Sequence, residues 1–204
     1  MATPSPSTDV HQLWDILTNE INGIQLIWGT LERLYSMQGQ GLATLARNVP
    51  LFHGLMQTAL VKSLLMRISR LMDDSTSGKS KNASLKLLAE VDNNVTSDIS
   101  QVFEIWHSSN LNNVRNKYFA HNDLGRSLNE SHRVNVPLDE MDIAAIKRLV
   151  AALRDFRQKV HRKLRNRPYL DDVLDKEIEC EIKVLDRCLM EGELFFKLLP
   201  EHEE

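Results

Sequence analysis

The chain has 204 residues, of which 42% are hydrophobic and 26% charged, and its formal net charge is -3. This length suffices for one domain with a sizeable core, and the charge balance provides no overall cationic field for binding nucleic acid or membranes. No apolar run reaches about 18 residues, so we expect no membrane-spanning segment. Residues 1–8 are rich in Pro, Ser and Thr, and we expect a disordered tail there and not a signal peptide.

In the first part of the chain, apolar residues recur every three or four positions, which predicts helices. The first helix is capped by Thr8 or Asp9 and ends before Gly-Gln-Gly at 39–41. A second runs from about Pro50 to Met72; it is apolar on most of its circumference, so we expect it at the centre of the fold. A polar loop follows over 73–84, and its Gly-Lys-Ser lacks the first glycine and the preceding strand of a phosphate-binding loop.

Three shorter helices are predicted after this loop. The first is capped by Ser84 or Asn82, the second covers about 94–108, and the third has Asn110 as its N-cap. The third helix carries the candidate site.

The rest of the chain predicts a loop over 125–137 and two long helices. One runs to about Arg165, where Asn-Arg-Pro breaks it, and the other from about Tyr169 to Leu199. No segment alternates with period two for long enough to form a strand, so the predicted fold class is all-α. We expect a disordered tail over 1–8, a helical bundle over 9–168, and a C-terminal antiparallel helical extension over 169–204 that packs on the same domain.

Charge is segregated near the C-terminus. Residues 154–167 carry seven Lys and Arg against one acid, whereas residues 171–204 carry twelve Asp and Glu against four Lys and Arg. Two interpretations stay open. The segments form antiparallel helices whose exposed faces attract each other weakly, or the basic helix follows a phosphate backbone.

If the basic helix contacts RNA, the candidate contacts are Arg162 and Lys163, together with Lys117 near the candidate site. His161 and Arg165, four positions apart, are assigned to the same basic face.

The cysteine and histidine residues indicate in which cellular compartment the protein lies and whether it binds a metal. Cys180 and Cys188 would lie about 12 Å apart along a helix axis, too far for a disulfide within one helix. Two free thiols without an export signal indicate the cytoplasm. The sequence contains neither His-Glu-x-x-His nor paired cysteines, so we expect no metal and no cofactor.

The stretch Asn-Asn-Val-Arg-Asn-Lys-Tyr-Phe-Ala-His-Asn-Asp, residues 112–123, is the candidate site. On a regular helix, Arg115 and His121 flank an apolar stripe on opposite sides and are roughly 120° apart. The stripe consists of Leu111, Val114 and Tyr118. Because Arg115 and His121 cannot meet on one helix, this spacing favours a site completed by a second copy that packs on the stripe across a two-fold axis.

Arg115, Asn116 and His121 resemble the motif of the HEPN superfamily, in which a polar residue follows the arginine and a histidine comes four to six residues after it. With the upstream Arg-Leu-Met-Asp-Asp, the polar loop and Ala-Ser-Leu-Lys-Leu-Leu, the stretch is similar to AbiU-like HEPN proteins of bacterial abortive infection. The resemblance spans roughly residues 50–160. It implies a homodimeric HEPN-like helical bundle and, in many members, a metal-independent endoribonuclease that acts as a toxin or antiviral effector.

Carried over by position, the resemblance implies that His121 transfers protons, Arg115 holds and stabilises the scissile phosphate, and Asn116 orients the RNA or His121. Histidine titrates near neutral pH, and a guanidinium binds two phosphate oxygens at once. The expected products carry a 2′,3′-cyclic phosphate and a 5′-hydroxyl. HEPN toxins silenced by a nucleotidyltransferase often have a tyrosine two residues after the histidine; here Asp123 stands there, so we do not expect that regulation.

A second hypothesis is a non-catalytic HEPN-like dimer that binds RNA, a nucleotide or a protein partner. Under the first hypothesis the protein partner is an antitoxin or another component of a defence operon.

Overall fold

The computed structural model describes residues 9–35, 43, 47–78, 80–119, 140–169 and 176–188. The helices, in chain order, are α1 (Val10–Tyr35), α2 (Pro50–Met72), α3 (Leu85–Val91), α4 (Thr96–Ser108), α5 (Leu111–Phe119), α6 (Glu140–Arg165) and α7 (176–188). A 3-10 turn, Asn93–Val95, precedes α4. The strands β1 (Thr76–Ser77) and β2 (Ser80–Lys81) form a small antiparallel sheet. The all-α prediction is confirmed.

The chain divides into two compact units. The first comprises Met1–Gln25 and Lys62–Tyr169, and the second comprises Leu26–Val61 and Leu170–Glu204. Helices α1 and α2 therefore contribute to both units, and α5 with its candidate motif lies in the first. The predicted domain boundaries at residues 8 and 168 stay a prediction.

The core of the first unit is built from amphipathic helices whose apolar residues repeat every three or four positions. The buried face of α6 includes Ile146, Leu149, Leu153, Phe156 and Val160, each at most 1% exposed. Helix α4 packs along α6, and α5 packs on α6 as well. Each such buried side chain contributes about 1.5–3 kcal/mol through the hydrophobic effect, so α6 is the main element that organises this unit.

Helix α2 differs from its prediction as a central helix. Its C-terminal half is buried through Leu64, Leu65, Ile68 and Leu71. Its N-terminal half, which lies in the second unit, exposes Leu51, Phe52 and Leu55 by 78%, 58% and 55%. Hydrophobicity all around a helix indicates burial but does not say which of its ends is covered.

Helix ends are fixed by local hydrogen bonds. The Asp9 carboxylate accepts from the backbone N–H of His11, so Asp9 caps α1. Ser84 is fully buried, and its hydroxyl accepts from the backbone N–H of Leu87 at the start of α3, as predicted. After α6, Asn166 has a φ of 51°, and its N–H donates to the carbonyl of Arg162. This left-handed residue ends the helix and turns the chain.

The predicted polar loop over 73–84 contains the two short strands. They pair Thr76 with Lys81 and Ser77 with Ser80, and Gly78 has a φ of 61°. Two-residue strands are too short to produce a period-two pattern, so the sequence could not reveal them.

Helices α1 and α2 approach each other closely within the first unit. Arg67 Nη1 lies 2.9 Å from Glu20 Oε2, which ties the two helices together. The guanidinium crosses above Gly23, where a Cβ would lie 2.6 Å from Arg67 Nη1. The absence of a side chain at residue 23 is therefore what lets Arg67 reach Glu20.

Candidate functional site

Helix α5 holds the described part of the candidate motif. Its first turn is set by Asn110, whose carbonyl accepts from the N–H of Val114 and whose side chain accepts from the Asn113 amide. Leu111 and Val114 are 0% and 5% exposed and fix one face of the helix in the core of the first unit. Asn116 is exposed and Arg115 is partly exposed, because both lie away from that buried face.

The side chains of Arg115 and Asn116 are joined directly. Arg115 Nε donates to Asn116 Oδ1 at 3.2 Å. A guanidinium carries five N–H donors, and this bond uses the one on Nε, so its two terminal nitrogens can still bind an anion. Among the described residues, no carboxylate forms an ion pair with Arg115. The pair thus presents a cation whose orientation is held by its neighbour.

Two residues of the predicted site, Lys117 and His121, are not fully covered by the structure. His121 is outside the described residues, and Lys117 lies in α5 with its side chain outside them. Whether the helix stays regular as far as His121, on which the predicted 120° separation depends, stays a prediction.

Two residues of the predicted apolar stripe, Leu111 and Val114, are buried within the chain's own first unit. The side chain of the third, Tyr118, lies outside the described residues. Dimerisation along this stripe stays a prediction. The spacing of apolar residues on α5 indicates that one face of the helix is buried. A sequence pattern alone does not distinguish burial within a chain from burial between two chains.

The basic residues on α6 lie away from the motif. Lys163 Nζ contacts Asp98 Oδ2 at 2.6 Å and donates to the carbonyl of Asn94 at 3.0 Å, both at the N-terminal end of α4. Arg115 follows the opposite end of α4, which is 13 residues or about 20 Å long. The structure therefore does not bring Lys163 together with Arg115. Arg162, beside Lys163, is exposed.

A second polar cluster lies inside the first unit, where sequence reasoning expected none. Arg157 is fully buried; its Nη1 donates to Asn22 Oδ1, and its guanidinium carbon lies 4.1 Å from the centroid of the Tyr169 ring. His161 is half-buried, with its ring edge-on to Tyr169 and Nδ1 3.4 Å from Trp14 Nε1. His161 does lie beside Arg165, as predicted for the basic face, but its ring is half-buried against Trp14 and Tyr169.

A signal for this cluster exists in the sequence. Arg157 and His161 follow Leu153 at four-residue intervals, the spacing of the buried face of α6. Seven cations between 154 and 167 hid this periodicity, because two of the positions on the core face are themselves basic or titratable.

The pKa of His161 lies below its ordinary value of about 6.5. Burial is the largest cause, since it disfavours the charged ring, and the nearby cations Arg167, Arg165 and Arg157 add to it. Asp15 acts in the opposite direction. The imidazole in this cluster is therefore neutral at neutral pH.

The comparisons with known proteins are consistent with the helical architecture and the motif on α5. Of the described helices, none combines the length and apolar character needed to cross a membrane. No curated protein and no solved structure matches the chain. The family model of AbiU2, a HEPN family, matches residues 9–179, which covers helices α1 to α6 and the whole candidate motif. The chain therefore belongs to the AbiU2 family of HEPN proteins.

Proposed function

We propose that the protein is a metal-independent endoribonuclease of HEPN type that acts in defence or as a toxin. The observation that carries the proposal is the Arg115–Asn116 pair, hydrogen-bonded at 3.2 Å on the solvent side of a helix whose other face is buried. A helix anchored by Leu111 and Val114 holds this cation in place, and packing does not require it. Membership of the AbiU2 family supports the same conclusion.

Arg115 stabilises the phosphate in this mechanism. Attack of the 2′-oxygen on the phosphorus gathers negative charge on the non-bridging phosphate oxygens, and a guanidinium oriented beforehand lowers the energy of that transition state. Asn116 supplies the orientation by accepting from Nε, which keeps the terminal nitrogens toward the anion. Asn116 is thus a positioning residue for Arg115.

His121 transfers the proton in this mechanism. It takes the proton of the 2′-hydroxyl or gives one to the leaving 5′-oxygen, and its ordinary pKa near neutrality suits both steps. The P–O bond to the 2′-oxygen forms as the P–O bond to the 5′-oxygen breaks. The products are a 2′,3′-cyclic phosphate and a 5′-hydroxyl, without an added oxidant, reductant or water.

A second copy that completes the site can reach α5 along its exposed edge. Asn112, Asn113 and Asn116 are exposed, whereas Leu111 and Val114 are buried. We propose that the homodimer forms across this polar edge, beside Arg115.

The test is incubation of the purified protein with total RNA in excess EDTA, followed by analysis of the fragment ends. Cyclic-phosphate and 5′-hydroxyl ends that disappear in His121→Ala and Arg115→Ala support the proposal. Arg148→Ala is the matched control, because Arg148 is an exposed arginine of α6 in the same unit. Binding of RNA without cleavage by the wild-type protein would instead support the non-catalytic alternative.

A further inference from the structure

Tyr169 ends the first compact unit, and four side chains hold it there. Its ring lies face-on to the Arg157 guanidinium and edge-on to His161, with ring centroids 5.1 Å apart at 83°. Its hydroxyl accepts from Asn22 Nδ2 at 2.7 Å, and its carbonyl accepts from Gln158 Nε2 at 3.0 Å. Aromatic, cationic and hydrogen-bonding contacts therefore meet on one residue.

The turn at Asn166 is what makes these contacts reachable. Tyr169 touches residues 8 to 12 positions earlier in α6, namely Arg157, Gln158 and His161. A helix that continued would carry the chain away from them, whereas the left-handed backbone of Asn166 sends residues 167–169 back along α6.

His161 is the titratable group of this arrangement. Trp14 Nε1 is a donor only, so its 3.4 Å contact with His161 Nδ1 requires an unprotonated Nδ1. A proton on that nitrogen would set one N–H against another and remove the hydrogen bond. Trp14 itself is fully buried and packs edge-on to Phe156, so it cannot turn to find a new acceptor.

The charges around His161 make the protonated form still less favourable. Arg157 and Arg165 face it from α6, and Arg167 from the segment after the turn. Among the described residues, the acid near it is Asp15 of α1, whose Oδ1 already pairs with Arg165 Nη2 at 2.6 Å. A protonated ring would be a fourth cation beside a single carboxylate that is already paired.

We propose that Tyr169 and the segment 166–169 form a latch on α6 that is closed while His161 is neutral and opens when His161 is protonated. Opening follows from the loss of the Trp14 hydrogen bond and from repulsion among His161, Arg157 and Arg167. Mild acidification thus releases Tyr169 and the segment 166–169 from α6, up to about 13 Å of extended chain.

The test uses the full chain labelled with ¹⁵N-tryptophan and titrated from pH 8 to pH 5. The Trp14 indole resonance, assigned by its loss in Trp14→Phe, should shift with a midpoint below 6.5, and this shift should vanish in His161→Gln. An indole resonance of Trp14 that does not move across this range would overturn the latch.

Opening is measured by chymotrypsin cleavage after Tyr169, identified by fragment mass and normalised at each pH to a small peptide substrate. The rate should rise as pH falls through the range in which His161 is protonated and level off below it. At pH 7.5, His161→Arg should be cleaved like the acidified wild type, and His161→Gln like the wild type at neutral pH. Equal rates for all three proteins would contradict the proposal.

If His161→Arg fails to fold, judged by circular dichroism, Tyr169→Leu is the second variant. It removes the cation–π and hydroxyl contacts and leaves His161 in place. Chymotrypsin also cleaves after leucine, and the bond after residue 169 should be cleaved rapidly at every pH. Persistence of the wild-type pH dependence in this variant would show that Tyr169 is not the moving part.

Discussion

Asp98 Oδ2 and Lys163 Nζ lie 2.6 Å apart and join the first turns of α4 to the last turn of α6. The aspartate side chain is 15% exposed and the lysine side chain 45% exposed. This lysine also donates to the carbonyl of Asn94, so its three-donor ammonium has two protein partners. Because Lys163 already has these two partners, it is less available to bind a phosphate than the exposed Arg162 beside it.

This relationship predicts a difference between Lys163 and Arg162 in RNA binding. Arg162→Ala should weaken binding of single-stranded RNA and reduce the slope of log K against log salt by about 0.7 if one phosphate contact is lost. Lys163→Met should leave that slope unchanged and lower the free energy of unfolding by about 1 kcal/mol. Fluorescence anisotropy at several salt concentrations and urea unfolding measure the two quantities. A larger change in salt slope for Lys163→Met than for Arg162→Ala would contradict the prediction.

The left-handed backbone of Asn166 predicts different stabilities for two substitutions at this position. Asn166→Ala should lower the free energy of unfolding by about 1 kcal/mol, because a left-handed φ crowds the Cβ of alanine. Asn166→Gly should be neutral, since glycine adopts this conformation without a steric cost. Urea unfolding at pH 7.5 compares the variants. Equal stability of the alanine and glycine variants would mean that the turn is not held at this φ in solution.

A mixed dimer of two inactive variants tests whether each proposed nuclease site is shared between subunits. If Arg115 of one protomer works with His121 of the other, a mixed dimer of Arg115→Ala with His121→Ala contains one intact site, and roughly half of the activity returns. If each subunit uses its own pair, mixing restores nothing. Co-expression with two tags, tandem purification and an RNA cleavage assay distinguish the cases, with mass measurement confirming the mixed dimer.

The low pKa of His161 predicts how the stability of the protein depends on pH. Well above pH 6.5 the ring is neutral in both the folded and the unfolded chain and contributes no pH dependence. As the pH falls below 6.5, the unfolded chain binds the proton first, so the free energy of unfolding decreases until the folded pKa is passed. Urea unfolding between pH 8 and 5 should show a smaller decrease for His161→Gln than for the wild type. An identical pH dependence would exclude this source.

The helices could be predicted from the sequence because their signals are local. The bounds of α2 agree with the prediction, and Ser84 caps α3 as predicted. These features depend on residues within a few positions of one another, where periodicity and capping rules apply.

The sequence identifies Arg115 and Asn116 as candidate residues, and their role in a site stays a prediction. The hydrogen bond between their side chains depends on rotamers that a sequence does not specify. The buried cluster around Tyr169 was missed because Asn22 and Tyr169 are 147 positions apart in the chain. Contacts of that range depend on how the helices pack. The four-residue spacing of Leu153, Arg157 and His161 indicates which face of α6 is buried, but not which distant residues meet it.

The close approach of Arg67 to Gly23 also limits which substitutions these positions can accept during evolution. A methyl group at residue 23 would lie 2.6 Å from Arg67 Nη1, so the end of this flexible side chain would have to shift from its place beside Glu20. A shorter side chain at residue 67 removes both the crowding and the ion pair. Positions 20, 23 and 67 should therefore vary together among related chains.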